Sequence, residues 1–82
     1  MGKEIGKVIH WYDKIGVAVV KLSAPLRKGD TIVIRRGEVE VNEIVTSLQL
    51  NHAPVEEAKS GDEVAVKLLN PAKEGAVILA AE

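Results

Sequence analysis

The sequence contains no cysteine, so neither disulfides nor thiolate-bound metal can hold its 82 residues together. Its two histidines, His10 and His52, have no second ligand at the spacing of a zinc site. A domain of this size buries only about 60% of the surface of its unfolded chain, so a compact core of apolar side chains must stabilise it. We therefore expect one domain over residues 1–82, with no metal and no cofactor.

Long apolar runs are also missing. No segment approaches the ~18 apolar residues of a membrane span, and the charged, glycine-broken start MGKEIGKVIHWYD is unlike a signal peptide. The net charge of -1 creates no general attraction to nucleic acid or to an anionic membrane. A phosphate-binding loop of the form GxxxxGK[ST] is absent, so we expect no bound nucleotide. These features predict a cytoplasmic protein without a membrane partner.

Charged residues are plentiful, at 28% of the chain, whereas Met, Gln and Cys together contribute two residues. This bias is typical of heat-adapted proteins, so we expect a thermostable chain.

The apolar residues are mostly Val, Ile and Leu, and they recur with period two between turns rich in Gly, Pro and Asp. This pattern predicts an all-β protein. Six runs carry it, at residues 5–11, 15–23, 31–35, 39–50, 62–69 and 76–81. Because closure removes exposed strand edges, six short strands favour a small closed antiparallel β-barrel.

Two runs depart from simple alternation. In IGVAVVKL both parities are apolar, which predicts either a strand buried on both sides or an outward apolar set of Ile15, Val17 and Val19 that suits a protein contact. In the fourth run the apolar parity changes, which predicts a bulge near residues 42–44 with Ile44 turned inward and Glu43 outward.

One set of motifs resembles a known family. The segments GKV, GVAVVKL, PLRKGDTIVI and VTSLQLNHAPVEEAKSGDEVAVKL look like the second domain of translational GTPases such as elongation factor Tu, over about residues 6–69. Short stand-alone proteins described as translation-elongation-factor-like are similar over almost the full length. The resemblance implies a six-stranded barrel that binds a protein or ribonucleoprotein partner in translation. It carries over no contact residues, and the strand exit at Leu69-Asn70-Pro71 differs from the family pattern.

Candidate catalytic groups are weak. Glu56 and Glu57 are adjacent, so their side chains diverge instead of facing one reacting bond across about 5 to 9.5 Å. The serines lack a nucleophile elbow. The sequence therefore predicts a binding module and no enzyme.

RNA binding is an alternative hypothesis, with Trp11 and Tyr12 as a stacking platform. Two basic pairs, Arg27-Lys28 and Arg35-Arg36, could each meet a phosphate, although about 16 Å of strand separates them. Against this, Trp11 could simply close one end of the barrel, and the basic pairs could be solvated turns. A homo-oligomer held by strand edges or by the outward apolar set is a third interpretation.

Overall fold

The computed structural model describes residues 3–51, 53–70 and 72–81, and strands dominate them. The predicted all-β class is confirmed. None of the described segments is a helix long and apolar enough to cross a membrane. The strands are β1 (Glu4–Tyr12), β2 (Val17–Leu22), β3 (Leu26–Arg27), β4 (Thr31–Arg36), β5 (Val39–Ile44), β6 (Leu48–Leu50), β7 (Ala53–Val55), β8 (Glu57–Ala58), β9 (Glu63–Lys67) and β10 (Val77–Ala80).

Eight of these strands form one antiparallel sheet in the order β5-β4-β10-β1-β2-β9-β6-β7. The last strand, β10, lies between β4 and β1, so strands from distant parts of the chain meet in the middle of the sheet. The predicted runs at residues 5–11 and 15–23 form a hairpin of β1 and β2, closed by hydrogen bonds from the amides of Ile15 and Gly16 to the Tyr12 carbonyl.

Alternating side chains of the sheet build one apolar core. Leu26, Ile32, Leu48 and Ile78 are its largest fully buried members. Fully burying such a side chain contributes about 1.5–3 kcal/mol. The core therefore supplies the stability that a chain without disulfides needs.

Two turns of identical construction lead into β4 and β9. Asp30 closes the first, since its amide donates to the Arg27 carbonyl at 3.1 Å while its carboxylate accepts from the Arg27 amide at 3.0 Å. Asp62 repeats both bonds with Lys59, at 3.1 and 3.0 Å. Gly29 and Gly61 occupy the third turn position at φ +95° and +94°. This is the type II turn, which requires a positive φ at that position.

The strands that precede these turns, β3 and β8, pair with each other in a separate two-stranded sheet. Leu26 is opposite Ala58, and Arg27 is opposite Glu57. Strands of two residues are too short to show a period in the sequence, so β3 and β8 could not be predicted from alternation.

Two finer expectations concern the closure of the barrel and the position of Ile44. The closed six-stranded barrel is not confirmed, because the eight-stranded sheet ends at β5 and β7, which are not paired with each other in the described part of the chain. The inward position expected for Ile44 is wrong, since Ile44 is 57% exposed and its neighbour Glu43 is buried. The core parity continues through Val45 and changes only before Leu48.

Candidate functional site

The outer side of the first hairpin carries the predicted apolar set. Tyr12, Val17 and Lys67 are opposite one another on β1, β2 and β9, and Val19 lies opposite His10 and Ala65 in the next row. Residues paired in register share one face of a sheet, so these side chains form a continuous surface. We call Tyr12, Ile15, Val17, Val19 and Lys67 the hairpin face.

The hairpin face is partly covered and partly open. Val17 and Val19 are half-buried, whereas Ile15 is 58% exposed. The Lys67 ammonium donates to the Ile15 carbonyl at 2.6 Å, which fixes the turn against β9. A cleft of about 280 Å³ runs between Ile15 and Gln49. This arrangement can accept an apolar side chain from a partner, and its rim is polar.

Trp11 and Tyr12 do not lie together on one surface. Trp11 is half-buried and packs against the core, while Tyr12 projects from the other side of β1. Tyr12 has the His10 ring as its neighbour, with centroids 5.2 Å apart, and His10 Nδ1 is 3.0 Å from Glu74 Oε2. The two aromatic rings therefore form no common platform, and Tyr12 belongs to the hairpin face.

Carboxylates accompany two of the four predicted basic residues. Arg27 Nε is 3.9 Å from Glu57 Oε2, across the β3–β8 pair. Arg35 Nε is 3.6 Å from Glu40 Oε2, across the β4–β5 pair. These pairs are exposed, and such pairs contribute about 0–1 kcal/mol. Each carboxylate offsets the positive charge that a phosphate would meet.

The remaining two, Lys28 and Arg36, are exposed as well. Lys28 follows β3, and Arg36 ends β4, so the structure does not bring the two basic pairs together. Their role in binding stays a prediction. The other histidine of the sequence, His52, lies outside the described residues.

A second surface was missed by reasoning from the sequence. Glu43 is 4% exposed, although it stands in a strand that reads as acidic and solvated. Its Oε1 accepts hydrogen bonds from the backbone amide of Asn70 at 2.6 Å and from Asn70 Nδ2 at 2.9 Å. A buried carboxylate costs free energy unless it is hydrogen-bonded, and Asn70 meets that requirement.

The Glu43–Asn70 pair borders a groove of about 450 Å³, which we call the Glu43 groove. Besides this pair, its lining residues are Thr31, Asn42, Ile44, Thr46 and Leu69. Leu69 is 88% exposed, the most exposed of the large apolar side chains in the described residues. The available sequence signal was the parity of Val41, Glu43 and Val45, which puts Glu43 on the core side of its strand.

The described residues contain no group of three His, Cys, Asp or Glu side chains arranged to hold a metal ion. Glu56 and Glu57 are both exposed; Glu57 begins β8, and the carbonyl of Glu56 before it accepts a bond from the Lys28 amide. Their position supports the interpretation of this segment as architecture.

Comparison with known proteins points away from translation. The chain is 45% identical over 73 residues to a protein of Methanocaldococcus jannaschii described as an uncharacterized protease. That match covers 88% of the chain but only 18% of the length of the protease. No family model matches the chain.

Two solved structures have the same fold as this chain. The C-terminal domain of a putative U32 peptidase from Geobacillus thermoleovorans superposes with a TM-score of 0.88 over 99% of this chain and 93% of that one, at 15% identity. Its selenomethionine variant gives a TM-score of 0.87 over 94% and 98% of the two chains, at 16% identity. At this identity the likeness establishes the fold alone.

These findings correct three expectations. The resemblance to domain two of elongation factor Tu is wrong, because the sequence relative is described as a protease and the structural neighbours are domains of a putative U32 peptidase. The predicted translation-linked binding function is contradicted by the same relatives, and so is the expectation of no enzyme. Binding of RNA and formation of a homo-oligomer stay predictions. Cytoplasmic location stays a prediction.

Proposed function

We propose that the chain acts as the C-terminal domain of a peptidase of the U32 family and works as part of that enzyme. The observation that carries the proposal is the 45% identity over 73 residues to a protein described as a protease. The fold supports it, because solved structures of such a domain superpose over nearly the whole chain. Fold likeness alone is a weak guide to function, so the sequence match has the greater weight.

The role we assign to the domain is to dock, through its hairpin face, on the remainder of the peptidase. About 82% of the M. jannaschii protease lies outside the matched segment, so a large partner surface exists in that relative. Interfaces between domains of one chain are more polar than the interfaces of obligate complexes. The hairpin face has this mixed composition. It combines half-buried Val17 and Val19 and exposed Ile15 with a polar rim.

A chimera tests this role. In it, this chain replaces the matching segment of the M. jannaschii protease, and hydrolysis of denatured casein is measured together with resistance of the domain junction to trypsin. Ile15→Glu should lower both, because an acidic side chain would be desolvated in the interface. Val39→Glu is the matched control, since Val39 is 54% exposed against 58% for Ile15 and lies on β5.

Three outcomes would separate the possibilities. Loss of activity with Ile15→Glu and none with Val39→Glu supports docking through the hairpin face. Equal effects of the two variants would refute the assigned surface, although the peptidase role would stand. A chimera that is as inactive as the protease lacking the segment would count against the peptidase role itself.

We also propose that the 82 residues fold as one unit in which the sheet closes into a barrel. The closing segment is residues 26–30, which consist of β3 and the turn after it. The Gly29 amide donates to the Val45 carbonyl at 2.7 Å, and the Val45 amide donates to the Asp30 carbonyl at 2.9 Å. On its other side the same segment pairs with β8, which follows β7. These bonds support a circuit that joins the two ends of the sheet.

Native-state hydrogen exchange tests closure. If the barrel is closed, the Gly29 and Val45 amides should exchange only by global unfolding, at the same free energy as the Val20 amide of the central strand β2. Exchange of these two amides by local opening, at a clearly lower free energy, would show an open sheet.

A further inference from the structure

The Glu43 groove combines features that the peptidase proposal does not use. Among the described residues that line it, Glu43 is the one charged side chain. It is more than nine-tenths buried and stands at the core side of β5, opposite buried Ile32. A mostly buried carboxylate therefore lines a groove whose other described residues are neutral.

The two oxygens of this carboxylate have different environments. Oε1 accepts both bonds from Asn70, at 2.6 and 2.9 Å, whereas no donor of the described residues is bonded to Oε2. No fully buried side-chain oxygen in the same residues lacks a partner, and Glu43 lines the groove, which favours a position of Oε2 at its open space. Since a carboxylate can accept about four hydrogen bonds, Oε2 keeps capacity for a donor from a ligand.

The groove also offers apolar contact on the way to this oxygen. Ile44 is 57% exposed and Leu69 is 88% exposed, and both line the groove. The bond from the Asn70 backbone amide to Oε1 anchors the chain at the position that follows Leu69. An aliphatic stem that ends in a positive charge complements the apolar side chains of Ile44 and Leu69 and the carboxylate of Glu43.

We propose that the Glu43 groove binds an arginine or lysine side chain of an extended peptide. The methylene stem packs on Ile44 and Leu69, and the cationic head donates to Glu43 Oε2. Long basic side chains bury their stems on apolar surface in this way. Hydrogen bonds between ionised partners are roughly twice as strong as neutral ones, which selects a cation over an apolar side chain. Thr31, Asn42 and Thr46 leave polar groups for the peptide backbone.

Blocked tripeptides test this directly on the 82-residue chain. Acetyl-Gly-Arg-Gly-amide is titrated into the ¹⁵N-labelled protein, in parallel with peptides that carry citrulline or norleucine in place of arginine. The arginine peptide should shift the amides of residues 42–46 and 69–70 and bind about tenfold more tightly than either neutral analogue. The lysine peptide should behave like the arginine peptide.

Two variants separate charge from packing. Glu43→Gln should abolish the preference for arginine over citrulline. Leu69→Ser should weaken both the arginine and the norleucine peptides, and its exposure makes it safe for folding even if Glu43→Gln is unstable. Val39→Ser is the control for loss of an exposed apolar side chain elsewhere on the surface.

The proposal fails if the arginine and citrulline peptides bind equally to the unaltered chain. It also fails if the shifted amides lie outside the groove, or if no saturable shift appears up to about 10 mM peptide. These measurements do not involve peptidase activity, so their outcome is independent of the proposed function.

Discussion

Gly6 of β1 approaches Lys21 of β2 so closely that a Cβ atom at Gly6 would lie 2.6 Å from the Lys21 carbonyl oxygen. The same atom would lie 2.8 Å from Val20 Cγ1. The register of β1 against β10 shifts next to this position, between Glu4 and Gly6. The absence of a side chain therefore lets a bent central strand contact its neighbour.

Gly6→Ala should consequently destabilise the chain by about 1–3 kcal/mol, the usual cost of overpacking, because one obstructing atom belongs to the backbone and cannot move aside. Urea unfolding monitored by circular dichroism measures the change. Lys7→Ala, at the exposed neighbouring position, should change stability by less than about 0.5 kcal/mol. Equal stability of Gly6→Ala and the unaltered chain would contradict this close approach.

The carboxylates of Asp30 and Asp62 each accept a bond from the backbone amide at the start of their turn, at 3.0 Å. Asp30→Ala and Asp62→Ala should each lower the free energy of unfolding by about 0.5–1.5 kcal/mol, the net value of a typical hydrogen bond, because these bonds are exposed and water screens the charge of the carboxylates. Asp30→Asn retains the acceptor and should recover most of the loss. Asp13→Ala, in the exposed turn of the first hairpin, is the control, because Asp13 makes no such bond within the described segments. If it costs as much as Asp30→Ala, the turn explanation is wrong.

Gly61 has φ +94° in the second of these turns. An L-residue in that conformation costs roughly 1–2 kcal/mol, so Gly61→Ala should destabilise by that amount although open space surrounds the position. Ser60→Ala changes the preceding exposed residue of the same turn and should be nearly neutral. Thermal unfolding resolves the two, since 1 kcal/mol shifts the Tm of a domain of this size by about 4–8 °C. Matching Tm values for the two variants would rule out strain at Gly61.

The strands could be predicted from the sequence because alternation and turn residues act locally. Val64 and Val66 enter the core as the pattern indicates, and Gly29-Asp30 and Gly61-Asp62 form turns as expected. Because these signals are local, they also produced the incorrect resemblance to domain two of elongation factor Tu. The segments PLRKGD and EEAKSGDEVAV encode a strand, a type II turn and a second strand, a solution open to unrelated β-proteins, so they identify architecture and leave function undetermined.

The Glu43 groove could not be predicted, because its cause is not local. A glutamate in an alternating strand usually faces water, and the opposite parity for Glu43 depends on Asn70, 27 residues further along. The sequence offered the unusual Leu69-Asn70 exit from β9 as a departure from pattern, without a reason for it. Positions where a local rule fails in this way are often functional, which agrees with a ligand site at the Glu43 groove.

The hydrogen-bonded pair Glu43 and Asn70 can be tested by substitution of Asn70. Asn70→Ala removes the Nδ2 bond at 2.9 Å but retains the backbone bond at 2.6 Å, so it should cost about 1.5–3 kcal/mol, the value of a hydrogen bond to a charged group.

Asn70→Asp has nearly the same shape but places a second carboxylate against Glu43, so at pH 7 it should be less stable than Asn70→Ala. Protonation of the introduced carboxyl removes the repulsion, and the folded variant would then hold a proton that the unfolded chain releases. Its stability relative to the unaltered chain should therefore improve as the pH falls from about 7 to 4. Asn42→Asp, exposed on the same strand as Glu43, is the matched control and should show little such recovery. Urea unfolding of the three variants across this pH range measures the effect, and an Asn70→Asp variant whose deficit stays constant with pH would show that its side chain does not face the Glu43 carboxylate.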